Sequence, residues 1–267
     1  MSVVLLSTFS ELIRRLSALP NVQSIGRSGG RPLPAKPSDG DIDVFLYCDS
    51  IPPTEARRVA LHEMGTKFTD IKMDAIGGGR WGVGDLVYIG GFETWLMYFT
   101  LEQATAEVDA VLAGQQPGRE GSYFYPTGRC AMYLKMEILC DKTGFLAGMK
   151  EYLSVYPENL AHSISKVHMD ALGDTEDLER AVTRRDVLFY HFALDLALDH
   201  FLQALFAMNR VFFPSRKRSM EHIHEFKVKP ERCEERLLEV LRLGGSPEGI
   251  GQSYQMWKEL VLELINT

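Results

Sequence analysis

The sequence predicts an α+β protein. An α/β N-terminal domain over residues 1–118, a mixed sheet flanked by helices, precedes an all-helical domain over residues 119–267. Three observations carry this. Up to about residue 100, apolar runs of strand length alternate with stretches of helical periodicity. After Gly118 the 3.6-residue period takes over almost without interruption. The 267 residues are close to two average domains, and 45% hydrophobic content is ample for packed cores.

The elements follow in order. Phe9, Leu12, Ile13, Leu16 and Leu19 recur at helical spacing, so Ser7–Leu19 is a helix closed by Pro20. Val22–Ile25 reads as a short strand. Residues 27–40 are rich in Gly, Pro and Ser and read as loop. Asp41–Tyr47 is a second strand, and Pro52-Pro53 start a helix that runs to Met64. Phe68–Met73 and Leu86–Ile89 are further strands joined through Gly77-Gly78-Gly79, which make a turn because neither a helix nor Lys-Ser/Thr follows them. Phe92–Phe99 is an aromatic-rich strand. Glu102, Glu107 and Asp109 fall in a segment that reads as helix. Beyond it, residues 132–139, 144–156, 160–171, 178–213, 230–243 and 251–265 all carry helical periodicity.

Charge and cysteine content narrow the function classes. With 29 Lys+Arg against 36 Asp+Glu, the net charge is -7, and no long basic run offers a grip on duplex nucleic acid. Cys48, Cys130, Cys140 and Cys233 form no CxxC pair and no disulfide framework, which favours a reducing, cytoplasmic setting. The apolar start is short, has no basic segment before it and is not read as a signal peptide. No stretch approaches the roughly 20 apolar residues of a membrane span.

The chemistry concentrates at Asp41-Ile42-Asp43. On a strand, alternate side chains share a face, so the two carboxylates lie together while Ile42 and Val44 point to the other side. Adjacent carboxylates repel unless a cation sits between them. Mg²⁺ takes oxygen ligands, typically one or two carboxylates and substrate phosphates. A glycine-rich stretch, Ile25-Gly26-Arg27-Ser28-Gly29-Gly30, precedes the pair and lets backbone approach a phosphate closely. The local chemistry is that of a metal site beside a phosphate site.

This pattern resembles the DNA-polymerase-β-like nucleotidyltransferase superfamily: a Gly/Ser turn, about ten residues, an Asp-x-Asp strand, then an acid on a later strand. Either Ile25-Gly26 or Gly29-Gly30 fits the turn. Glu93, alone among acids on the Phe92–Phe99 strand, takes the third acidic place, where most relatives carry Asp. A second stretch, from Leu194-Asp195 through Asn209-Arg210-Val211-Phe212-Phe213-Pro214 to Lys217, is similar to the helical domain of aminoglycoside- and lincosamide-type nucleotidyltransferases.

The resemblance implies transfer of a nucleoside monophosphate, AMP from ATP in the leading form, to a hydroxyl of a small molecule. It implies one or two Mg²⁺ ions on Asp41 and Asp43. Glu93 is either a third metal ligand or the base that takes the hydroxyl proton. It further implies nucleotide contacts from Ser28, Gly29, Gly30, Arg31, Asn209 and Lys217. A regulatory nucleotide-binding member, or a protein-modifying adenylyltransferase of toxin–antitoxin type, has the same features. Acceptor and oligomeric state are left open. The aromatic run Tyr123-Phe124-Tyr125 is either a lining of the acceptor pocket or a packed loop, and Trp95 reads as sheet packing.

Overall fold

The computed structural model describes residues 3–29, 33–34, 36–115 and 125–267. They form two compact units: Met1–Asp109 with Met132–Val155, and Ala110–Ala131 with Tyr156–Thr267. Residues 116–124, where the sequence sets its domain boundary, lie outside the described residues.

In the first unit, helices α1 (Val3–Ser17) and α2 (Thr54–His62) accompany strands β1 (Val22–Arg27), β2 (Ile42–Cys48), β3 (Phe68–Gly77), β4 (Val83–Ile89) and β5 (Phe92–Thr100). Helix α3 (Leu101–Leu112) follows β5 directly. A further strand, β6 (Glu137–Asp141), lies between helices α4 (Pro126–Lys135) and α5 (Phe145–Tyr152). The sheet order is β3-β4-β5-β2-β1-β6. Strands β2 and β5 are parallel and the other neighbouring pairs antiparallel, so the sheet is mixed.

Strict alternation on β2 divides the sheet into two faces. Ile42, Val44, Leu46 and Cys48 enter a core with Phe9, Leu12 and Leu16 of α1 and Leu61 of α2. Burying each large apolar side chain contributes about 1.5–3 kcal/mol, so this face anchors the strand in register. On the opposite face, Phe45 and Tyr47 both stack against Phe99, at 6.1 and 6.2 Å between ring centres. Tyr47 also meets Tyr133 at 5.6 Å and Phe145 at 5.2 Å. The aromatic half of that face is therefore covered, and its other half carries Asp43, Glu93 and Trp95.

Strand β6 corrects the helical reading of residues 132–139. The periodicity there belongs to the last turns of α4 and stops at Lys135. The strand exists because Glu137–Asp141 pairs with Arg27–Ser24, more than 100 residues upstream, and no local period can report such a partner. β1 likewise runs two residues further than its apolar stretch, through Gly26 and Arg27. Arg27 is held there by Glu137, whose carboxylate accepts from its Nε at 2.8 Å.

The second unit holds α6 (Glu158–Leu172), α7 (Glu176–Arg184), α8 (Val187–Met208), α9 (Ser219–Glu225), α10 (Cys233–Leu243) and α11 (Ile250–Ile265). Helix α8 is apolar on most of its circumference and accordingly central. Phe201 packs on Trp257 at 5.3 Å, and Phe206 sits edge-on to Phe213 and Phe226. The single helix expected over 178–213 is in fact two. Arg185 adopts the left-handed region (φ 53°), and Asp186 then caps α8 by accepting from the Phe189 amide at 3.0 Å. Past Met208 the chain to Pro214 is not helical, because Asn209 closes α8 and Pro214 cannot extend it. No described helix is long and apolar enough to cross a membrane.

Three of the four thiols are sealed in these cores. Burial pushes Cys48, Cys130 and Cys233 up to about 12. A folded-state value raised above the unfolded one stabilises fully below pH 9 and loses that contribution as pH rises toward 12, at about 1.4 kcal/mol per thiol per pH unit. Urea unfolding followed from pH 8 to 11 is expected to show this decline. Thiol titration of the native protein at pH 8 is expected to label the half-exposed Cys140 alone, with the other three reacting only in denaturant. Rapid native labelling of more than one thiol contradicts this reading.

Candidate functional site

Transverse rows across the sheet assemble the site. The backbone amide of Ser28, just past β1, donates to the Asp43 carbonyl at 3.0 Å. In the parallel ladder Asp43 pairs with Trp95, and in the antiparallel ladder Trp95 pairs with Leu86. Paired residues in a ladder share a face, so Ser28, Asp43 and Trp95 stand side by side across three strands. One row along, Glu93 pairs with Tyr88, while Ile42 pairs with Thr94. Asp41 immediately precedes β2, outside the ladder. Asp43 and Glu93 thus share a face at the same end of their parallel strands, and Asp41, expected at the start of the strand, is exposed just before it.

Side-chain contacts fix two of the three acids. Ser28 Oγ donates to Asp43 Oδ2 at 3.3 Å, and Trp95 Nε1 donates to Glu93 Oε1 at 2.7 Å. Asp43 and Glu93 are half-buried and Asp41 is exposed. Among the described residues, no three His, Cys, Asp or Glu side chains are gathered tightly enough to form a metal cage. The donor set nonetheless suits Mg²⁺ in kind: hard oxygens on one face and solvent access, for an ion that keeps waters and takes one or two carboxylates.

The turn ahead of the pair has an unambiguous geometry. Gly26 lies inside β1, where a Cβ would come 2.1 Å from Met136 Sδ, so its small size serves packing. Gly29 has φ +78° and open space around it, which is the conformation of a turn glycine. The turn is therefore at Ser28-Gly29, and Gly30 and Arg31 lie outside the described residues.

The two remaining candidates belong to the helical unit. Asn209 spends its amide on the fold: Nδ2 donates to the carbonyls of Leu205 and Val228 at 2.9 and 2.7 Å, and Oδ1 accepts from the Val228 amide at 3.1 Å. It closes α8 and holds the 226–229 segment against it. Lys217 is exposed, between Arg216, which is ion-paired with Asp195, and Arg218, which starts α9 in the left-handed region. Tyr125 is buried and donates to Asp199, which also accepts from Gln203 Nε2 at 3.0 Å. Tyr125 is thus a packed residue, while Tyr123 and Phe124 lie outside the described residues. The contact that sequence reasoning did not anticipate is the hydrogen bond of Trp95 to Glu93, two places away on the same face of β5.

Residues 125–218 match the profile of a family described as Domain of unknown function (DUF4037). No curated protein matches the sequence. Among solved structures, the chain is similar to a nucleotidyltransferase-like protein from Exiguobacterium sibiricum 255-15, with a TM-score of 0.50 and 10% sequence identity, over 95% of this chain and 74% of that one. At that identity the likeness is one of fold, and the chain has a nucleotidyltransferase-like fold.

Proposed function

We propose that this protein transfers a nucleoside monophosphate, AMP from ATP in the leading form, from a nucleoside triphosphate to a hydroxyl of a small molecule and releases pyrophosphate. The observation that supports this best is the β2–β5 register, which pairs Asp43 with Trp95 and so sets Asp43 on the face of Glu93, beside the Ser28-Gly29 turn. In the reaction the acceptor oxygen forms a bond to the α-phosphorus, and the bond from that phosphorus to the pyrophosphate oxygen breaks. The hydroxyl proton passes to a carboxylate, for which Glu93 is the candidate. Asp41 and Asp43 would hold Mg²⁺, which when bound neutralises phosphate charge. The Ser28 amide is engaged by the Asp43 carbonyl, so a phosphate cradle built from this turn begins at Gly29. Arg31 is a candidate for offsetting charge on pyrophosphate.

Calorimetry tests this directly. ATP is expected to bind in the presence of Mg²⁺, and Asp41→Asn is expected to remove the metal dependence. Absence of binding of any nucleoside triphosphate with Mg²⁺ or Mn²⁺ rules the proposal out. Binding without pyrophosphate release against any hydroxylated metabolite, antibiotic or protein acceptor would favour a nucleotide-responsive regulator instead.

A further inference from the structure

We infer that Trp95 is a positioning residue for Glu93, acting through its indole N–H; this rests on the nucleotidyltransferase reading of the site. Trp95 is half-buried on the face that carries Asp43 and Glu93, and it stands directly beside Asp43 in the parallel ladder. Its Nε1 donates to Glu93 Oε1 at 2.7 Å. Indole is a donor only, so this contact has one sense. A hydrogen bond to an ionised acceptor is shorter and stronger than one between neutral groups. A free glutamate on a strand edge samples several rotamers. One anchored at Oε1 presents Oε2 in a defined direction and approaches a metal or a hydroxyl with less ordering still to be done.

The same contact accounts for the glutamate in a place where an aspartate would be too short. Along a strand, residues i and i+2 point the same way roughly 6.6 Å apart at about 3.3 Å rise per residue. The longer arm of Glu93 spans that gap to reach the indole of Trp95 and leaves its second oxygen outside this hydrogen bond. Trp95 therefore holds Glu93 from the position that pairs with Asp43 in the ladder.

The chain has three tryptophans, which makes the contact observable. Trp257 is buried against Phe201 in the helical unit. Trp81 precedes β4, whose first residue pairs with Tyr98, toward the end of β5 away from Glu93. Three indole N–H resonances are expected from protein labelled with ¹⁵N-tryptophan, and the one lost in Trp95→Phe identifies Trp95. Glu93→Gln is expected to move the Trp95 resonance and leave that of Trp257 in place. Mn²⁺ is expected to broaden Trp95. By calorimetry, Trp95→Phe and Glu93→Gln are each expected to weaken Mn²⁺ binding about tenfold, with the double variant no weaker than Glu93→Gln alone. Trp95→His, which keeps a ring N–H, is expected to recover part of the loss.

If the two single losses multiply in the double variant, or if Glu93→Gln leaves the Trp95 resonance unmoved, the positioning role is overturned while the metal site stands. If Mn²⁺ neither binds nor broadens any indole signal, the nucleotidyltransferase reading falls and this role with it. The Glu93→Gln arm reads the hydrogen bond with Trp95 in place, so it holds even where Trp95→Phe folds poorly.

Discussion

Asp43→Asn is expected to lower pyrophosphate release about a thousandfold, equivalent to about 4 kcal/mol of transition-state stabilisation. The amide replaces the carboxylate at nearly constant shape, and its oxygen still accepts from Ser28 Oγ. The flanking core residues Ile42 and Val44 and the Trp95 pairing are untouched, so the sheet is expected to keep its stability. What is lost is one negative charge on the site's face. Catalysis of nucleotidyl transfer consists almost entirely of positioning and charge neutralisation, so that single charge bears directly on the barrier. Asp70→Asn is the control: Asp70 lies on β3 at the sheet's edge, exposed and loosely paired with Lys72 at 3.8 Å, and its change is expected to leave turnover within twofold. Equal activity of Asp43→Asn and wild type, at matched thermal stability, would sink the assignment of Asp43.

The shared face of Asp43 and Glu93 was legible because it depends on local alternation alone, which β2 keeps from Asp43 to Cys48. What escaped was whatever rests on partners distant in sequence. β6 is a strand because it pairs with β1, far upstream, and the apparent helix over 178–213 breaks because Arg185 turns left-handed and Asp186 caps α8. The hydrogen bond of Trp95 to Glu93 was not legible, because an aromatic on a strand reads as packing and the side-chain contact appears only in the structure. The Asn209 amide illustrates the converse. Its sequence context resembles a nucleotide contact, yet all of its observed hydrogen bonds go to backbone groups of the helical unit.

Arg57→Leu is expected to destabilise the sheet-bearing unit by about 3–5 kcal/mol, the usual cost of leaving one partner of a buried ion pair uncompensated. Arg57 is 2% exposed on α2 and Asp85, fully buried on β4, accepts from its Nη1. Nε donates to the Pro52 carbonyl at 3.0 Å, and Nη2 reaches Thr54 Oγ1 at 3.1 Å and Asp74 on β3. The guanidinium also lies 4.9 Å from the centre of the Tyr98 ring on β5. One side chain therefore ties α2 to three successive strands, and it holds Asp74 in a left-handed conformation (φ 50°) with its amide donating to Asp85 at 2.9 Å. Burial already raises Asp85 above the usual carboxylate range, and the Arg57 hydrogen bonds and charge oppose that rise. Without Arg57, the acid takes a proton more readily in the folded state. A folded-state value raised in this way favours folding at low pH and loses that contribution as pH rises through it. The deficit of Arg57→Leu is therefore expected to be largest near pH 7 and to shrink as pH falls toward 5, opposite to ordinary acid destabilisation. Replacing both partners, Arg57→Leu with Asp85→Leu, removes the orphaned charge and is expected to recover about half of the loss, the Asp74 amide being left without its acceptor. Urea unfolding of the three proteins at pH 7 and pH 5 reads all of these terms. A single-variant deficit below about 1 kcal/mol that does not change with pH would mean that the pair contributes little.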